Sequence, residues 1–214
     1  MTFSLRKKYL PISQAPFTDQ IAGEPIAHYN SRKDKLSEMT KKGELISLRR
    51  GLYITGPGLD LPTPHKFVIA NHLRGPSYIS LETALQFWGI IPEQVYEITS
   101  VTTKRKTSYV NSVGRFSFQH LPSPYYSFGI QRIEVGENQF AMIASKEKAI
   151  CDKIVLTSGI NLRSKIQTTD FLLDDMRMDE DQLKTLDINR IKSWIEDSPK
   201  SSSLEMLVKT LEKL

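Results

Sequence analysis

Cysteine is nearly absent from this chain: Cys151 is the only one in 214 residues. A single thiol closes no intramolecular disulfide and builds no cysteine zinc site, so nothing asks for an oxidising compartment. Long apolar runs are missing as well. No segment approaches the roughly 18–20 apolar residues needed to cross a bilayer, and the opening Met1–Tyr9 segment is not followed by an apolar signal core. The expectation is a cytoplasmic protein with no membrane partner. Histidine is scarce, and His65 and His72 are too widely spaced for a His-x-x-x-His metal clasp. Glu147 and Asp152, five apart on a helix, diverge by about 140°. Cys151 lacks a nucleophile framework and reads as a small buried hydrophobe. Gly56-Pro57-Gly58 lacks the lysine and helix start of a phosphate-binding loop. No catalytic residue, metal site or cofactor is therefore expected, and the chain does not read as an enzyme.

What the chain does have is an apolar fraction of 39% and a net charge of +5 that is unevenly placed. The apolar content suffices for a core in one or two domains. Residues 1–55 carry ten Lys and Arg against five acids, whereas the remainder balances at nineteen of each. A basic N-terminal module on a neutral body points to a polyanion partner, because Lys and Arg gain affinity by releasing phosphate counterions. A merely solvated surface is the competing reading of the same charges.

The segment Leu36–Ile54 organises that module. Lys41 and Lys42 precede Gly43, which suits a left-handed helix stop. Beyond it, Ile46, Leu48, Leu52 and Ile54 are evenly spaced about Arg50-Gly51, as in a two-stranded hairpin showing one face to a core. A helix followed by a basic hairpin is the outline of a winged helix. The preceding helix starts either at Pro25 or at a Ser31 cap, and one helical region running to Lys42 is expected. Its Tyr29, Arg32, Lys33 and Lys35 are candidates for reading a groove. Lys41 and Lys42 are further DNA-binding candidates, and Arg49 and Arg50 at the hairpin tip are candidates for phosphate anchoring as a wing.

Earlier in the chain, Leu5–Tyr9 reads as a short basic helix interrupted at Leu10-Pro11-Ile12, and Pro16–Gly23 as a brief second one. The Pro/Gly-rich stretch after Thr55 reads as a linker. The expected division is residues 1–56 as a DNA-binding domain and 57–214 as an α+β domain. In the latter, helices are expected over His65–Leu73, from a Ser80 cap to Gly89, and over Ala144–Val155 from a Ser145 cap. Strands are expected at Tyr96–Ser100, Arg115–Leu121, Ile130–Val135 and Gln139–Ile143, the last two joined by Gly136-Glu137-Asn138 in a small antiparallel sheet. Lys104, Arg105 and Lys106 fall in an intervening loop, a second candidate nucleic-acid contact or simply a solvated turn. Glu147 and Lys148 are placed on a helix surface. A helical tail begins at about residue 160, and its last segment carries Leu204, Leu207, Val208, Leu211 and Leu214 on one stripe expected to pack on the body.

Four blocks in order, Leu48–Tyr53 (Leu-Arg-Arg-Gly-Leu-Tyr), Ser77–Leu85 (Ser-Tyr-Ile-Ser-Leu-Glu-Thr-Ala-Leu), Gly89–Glu93 and Ala144–Lys153 (Ala-Ser-Lys-Glu-Lys-Ala-Ile-Cys-Asp-Lys), resemble the AbiEi family. The resemblance spans roughly residues 16 to 155 and rests on the order and spacing of the blocks. It implies an antitoxin and transcriptional regulator of a bacterial type IV toxin–antitoxin system, a class tied to phage defence. It further implies an N-terminal winged helix-turn-helix on operator DNA, and a C-terminal domain that counteracts a nucleotidyltransferase-like toxin without necessarily forming a stable complex. The competing function is a protein-interaction antitoxin module that does not touch DNA.

Overall fold

The computed structural model describes residues 2–214 and has a mixed α+β architecture with two sheets and two hydrophobic clusters. The N-terminal part runs α1 (Thr2–Tyr9), β1 (Phe17–Thr18), α2 (Asp19–Gly23), α3 (Arg32–Lys41), β2 (Leu45–Arg49) and β3 (Leu52–Thr55). Its three strands form an antiparallel sheet in the order β1-β3-β2. Leu10-Pro11-Ile12 makes a 3-10 turn, consistent with proline breaking α1. The Ser31 start is the one observed: Ser31 Oγ accepts from the Asp34 N–H at 3.3 Å, while residues 25–30 form turns rather than extending the helix back to Pro25. Gly43 ends α3 at φ +69°, in the left-handed region where a missing Cβ removes the strain.

Tyr9, Phe17, Ala22, Ile26, Leu36, Met39 and Leu45 fill the smaller cluster. Leu59 and Leu61, from the stretch expected to be a linker, pack into it too. Gly56 and Gly58 lie against Gly43: a Cβ on Gly56 would meet the Gly43 carbonyl oxygen at 2.3 Å, so glycine is required there. The hairpin residues Leu48, Leu52 and Ile54 belong instead to the larger cluster. The even spacing of apolar residues thus marks a buried face, but one buried against the C-terminal part.

The second sheet corrects the expectation of a small antiparallel one. It has six strands in the order β6-β7-β5-β4-β9-β8: β4 (Ser77–Ile79), β5 (Glu97–Thr102), β6 (Thr107–Asn111), β7 (Gly114–His120), β8 (Ile130–Gly136) and β9 (Gln139–Ala144). The β5/β7 and β4/β9 pairs are parallel, so the sheet is mixed. Two strands escape a periodicity argument. All three residues of β4 are buried, which leaves no alternation to detect, and β6 begins directly after the cationic loop. The β8/β9 hairpin forms as expected, with Asn138 at φ +56° in its turn.

Helices α4 (Lys66–Leu73), α5 (Leu81–Phe87) and α6 (Lys146–Leu156) pack against this sheet. Thereafter come α7 (Lys165–Thr169), continued by a π-helical turn over Asp170–Asp175, then α8 (Glu180–Lys184), α9 (Ile188–Lys192) and α10 (Ser201–Leu211). Leu204, Leu207, Val208 and Leu211 are buried against the body, as their spacing predicts. No described helix is long and apolar enough to cross a membrane.

Glu147 and Lys148 are not on a helix surface. Lys148 is fully buried and Glu147 nearly so, because α6 is buried on almost every side. Lys148 Nζ lies 3.0 Å from Asp152 Oδ1 and donates to the Tyr125 carbonyl at 2.8 Å. Asp152 Oδ2 accepts from Tyr78 and Ser80 hydroxyls at 2.9 and 2.8 Å. Ser80 precedes α5, but its hydroxyl goes to Asp152 rather than capping the helix. Ser145 does cap α6, accepting from the Lys148 N–H.

Candidate nucleic-acid interface

A basic concavity of the N-terminal part lies between α2, α3 and the β2/β3 tip. It encloses about 690 Å³ and is lined by Arg32, Lys33, Leu36, Ser37 and Thr40 of α3, Asp19 and Gln20 of α2, and Ser47, Arg50, Gly51 and Tyr53 of the hairpin. Local chemistry builds it. Thr18 Oγ1 accepts from the Ile21 N–H and starts α2, while Ser31 starts α3, setting Arg32 and Lys33 in the first exposed turn. The β1/β3 pairing places Phe17 opposite Tyr53, and the Asp19 N–H donates to the Gly51 carbonyl at 3.2 Å. These bonds hold the start of α2 beside the hairpin tip, where Gly51 turns at φ +74°.

The groove gathers three of the eight residues anticipated for DNA: Arg32, Lys33 and Arg50, all exposed. Together with Asp19 they leave it net positive. The other five are elsewhere or engaged. Lys35 keeps 10% of its side chain exposed, pairs with Glu38 at 3.0 Å and sits 4.9 Å above the half-buried Tyr29 ring. Tyr29 is packed against His28 with ring centroids 4.4 Å apart. Lys42 bonds the other Glu38 oxygen at 2.5 Å. Hydrogen bonds from Lys42 and then Lys35 pull the Glu38 carboxyl down to about 2, and the same bond raises Lys42. Lys41 is exposed in the last turn of α3, outside the groove lining. Arg49 turns away from the groove: its Nε donates to the Leu73 carbonyl at 3.2 Å and its Nη1 to the Arg50 carbonyl at 3.2 Å.

The basic triplet divides. Lys104 Nζ donates to the Gly75 carbonyl at 2.5 Å, and Arg74 donates to the Arg105 carbonyl at 3.2 Å, which fixes this end of the loop beside the segment that receives Arg49. Lys106 faces a separate concavity of about 610 Å³ with Glu82, Tyr96, Glu97 and Lys153, where cations and acids are matched.

Sequence reasoning did not single out Ser37, Thr40, Ser47, Gln20 or Asp19 as groove residues. A signal existed for part of the set. Arg32, Leu36 and Thr40 repeat every four residues, as do Lys33 and Ser37, so they share a helical stripe. Cys151 is fully buried, and burial pushes its thiol up to about 12, which makes it unreactive. No protein-family model matches the chain, and no curated protein sequence matches it.

Proposed function

We propose that this protein is a DNA-binding transcriptional regulator that serves as the antitoxin of a type IV toxin–antitoxin system. The element order α1-β1-α2-α3-β2-β3 is read as a winged helix-turn-helix with α3 as recognition helix and the β2/β3 hairpin as wing. The observation that carries the DNA part is the convergence of Arg32, Lys33 and Arg50 on one groove. Arg32 and Lys33 occupy the N-terminal turn of α3, the part of a recognition helix that reaches base edges. Ser37 lies on the same face and adds a hydroxyl donor for phosphate or base, whereas the Thr40 hydroxyl beside it donates to the Leu36 carbonyl at 2.9 Å. At ten residues, α3 is about 15 Å long, enough to lie along a major groove. Arg74, Lys104 and Arg105, bound to one another's backbone region next to the wing, extend the positive surface and support a second backbone contact.

The antitoxin part rests on the four ordered blocks resembling the AbiEi family. Two of these blocks meet in the core, where Tyr78 and Ser80 of one bond Asp152 of another. In this reading the toxin is nucleotidyltransferase-like, the site of its neutralisation is in the C-terminal part, and the protein acts without a catalytic residue or cofactor of its own.

The test is a salt-dependent gel shift with the DNA upstream of its own gene, comparing wild type with an Arg32→Ala, Lys33→Ala, Arg50→Ala triple variant. The expected loss is about 0.9 in the log–log salt slope per phosphate contact removed. Equal retention and an equal slope for the triple variant would falsify the groove as the DNA site. The antitoxin half is tested by sequencing the neighbouring genes for a nucleotidyltransferase-like reading frame and co-expressing that product with this protein. Growth arrest that this protein does not relieve would count against it.

A further inference from the structure

The six-stranded sheet ends differently on its two sides. At the β6 edge the N-terminal hairpin abuts the strand, and Asn111 of β6 donates to the Leu48 carbonyl at 3.1 Å. At the other edge, β9 is the one element among the described residues in substantial contact with β8. A bare edge strand offers a row of free N–H and C=O groups, which invites another strand.

The direction of those groups follows from β9. Met142 gives its N–H to Asn71 Oδ1 at 2.7 Å, and its carbonyl accepts from Asn71 Nδ2 at 3.4 Å. Arg132, opposite Met142, is therefore in a non-hydrogen-bonded pair, and alternation puts Glu134, opposite Phe140, in another. The backbone N–H and C=O of Arg132 and Glu134 both point outward along the free edge. Their side chains share one face, two residues apart, and both are exposed.

We propose that this edge is a homodimer interface in which β8 pairs antiparallel with β8 of a second copy, about a two-fold axis at Ile133. The register satisfies every constraint at once. Arg132 of one copy lies opposite Glu134 of the other, and Glu134 opposite Arg132, so two opposite-charge cross-strand pairs form by symmetry. Each of these positions has its N–H and C=O outward, so each opposed pair exchanges two backbone hydrogen bonds. Registers centred one residue away oppose Arg132 to Arg132 or Glu134 to Glu134. Like charges directly opposed reject them.

The neighbouring side chains are compatible with this occupant. The Arg132 guanidinium lies over the Phe140 ring at 3.5 Å, and stacking leaves its N–H edge free for a carboxylate. Glu134 accepts from the Asn138 N–H through Oε1, leaving Oε2 available. Ile133, on the opposite face, is only half buried at this edge, and its counterpart from the second copy would cover it. The bulge between Glu134 and Gly136 confines the pairing to the first part of the strand. Phe140 at 40% and Met142 at 38% exposure form an apolar shelf beside the charged row. This proposal is independent of the DNA reading.

Sedimentation equilibrium of the full chain from the micromolar to the millimolar range tests it. Wild type is expected to show a reversible monomer–dimer equilibrium. Arg132→Glu, which opposes two acids twice, should weaken dimerisation by at least about tenfold, and so should Glu134→Arg. The double variant Arg132→Glu, Glu134→Arg restores complementary pairs and should recover the dimer. Should a charge variant fail to fold by circular dichroism, Ile133→Cys decides. Cys151 is buried, so oxidation should cross-link position 133 across the axis, whereas Val110→Cys, exposed on β6, should not. A wild type monomeric throughout, a dimer indifferent to Arg132→Glu, a folded double variant that stays monomeric, or equal cross-linking at 110 and 133 would each overturn the proposal.

Discussion

Lys148 and Asp152 form an ion pair, Nζ to Oδ1 at 3.0 Å, in which both side chains are completely buried. One turn of α6 separates them, and Tyr78 and Ser80 reach the same carboxylate from the segment leading into α5. Burial lowers Lys148 and raises Asp152, while their mutual attraction and the two hydroxyl donors oppose that shift. The hydroxyl bonds to Asp152 tie β4 and the residue after it to α6, and the worth of the ion pair lies in leaving no charge uncompensated.

Removing one partner should therefore be costlier than removing both. Asp152→Ala leaves a buried ammonium, and a loss of about 3–5 kcal/mol in unfolding free energy is expected from urea titration. The double variant Lys148→Met, Asp152→Leu should lose clearly less than the sum of its two single variants. Additive losses would show that the two charges are not coupled.

Lys200 makes a second prediction. Its ammonium donates to the carbonyls of Ile154, Thr157 and Ile160 at 3.0, 2.8 and 2.8 Å, collecting the oxygens left open where α6 ends. Lys200→Met should cost about 2–3 kcal/mol, the range for hydrogen bonds to a charged group with partners left unpaired. Lys200→Arg should recover only part, because three converging carbonyls suit a compact ammonium better than a planar fork. Unfolding midpoints of the two variants check both statements.

His65 supplies a pH dependence. Its Nδ1 accepts from the Phe67 N–H at 3.2 Å and caps α4, so the neutral ring is the one that fits. Burial, with Lys66 adding, depresses its pKa below 6.5. A depressed folded pKa means that the unfolded chain takes up the proton first as the pH falls. The cap's contribution is full above 6.5 and is lost as the pH drops through the folded value. His65→Asn keeps a cap that does not titrate. The stability difference between wild type and His65→Asn, followed by urea unfolding across that window, should fall towards acid by about 1 kcal/mol at most.

The limits of the sequence reading are physical. Helices with caps and stripes were legible: Ser31, Gly43, Ser145 and the Leu204–Leu211 stripe carry their instructions within one or two turns. The i, i+4 spacing of Lys148 and Asp152 was visible too, but their burial depends on Tyr78, Ser80 and Tyr125 arriving from far along the chain. The same holds for the hairpin. Even spacing told which face of β2/β3 is buried, not that the C-terminal cluster covers it. At the groove, composition marked eight cations and aromatics alike; only the fold separates Arg32, Lys33 and Arg50 from Lys35, which its own neighbours Glu38 and Tyr29 occupy.

Arg49 and Arg50, adjacent at the hairpin tip, should behave as opposites. Their position at the hairpin tip marks both as phosphate anchors, and the sequence offers no reason to divide them. Arg50 lines the groove, whereas Arg49 donates to the Leu73 carbonyl at the end of α4. Under the proposed DNA reading, Arg50→Ala should lower the salt slope by about 0.9 and leave the unfolding midpoint in place. Arg49→Ala should leave the slope unchanged and cost about 1 kcal/mol of stability, the worth of a hydrogen bond joining the hairpin to α4. Gel shifts over a salt series and urea unfolding of the two variants separate the outcomes. A slope reduced equally in both would mean that Arg49 releases Leu73 when DNA arrives, and the hairpin would then be a joint rather than a fixed strut.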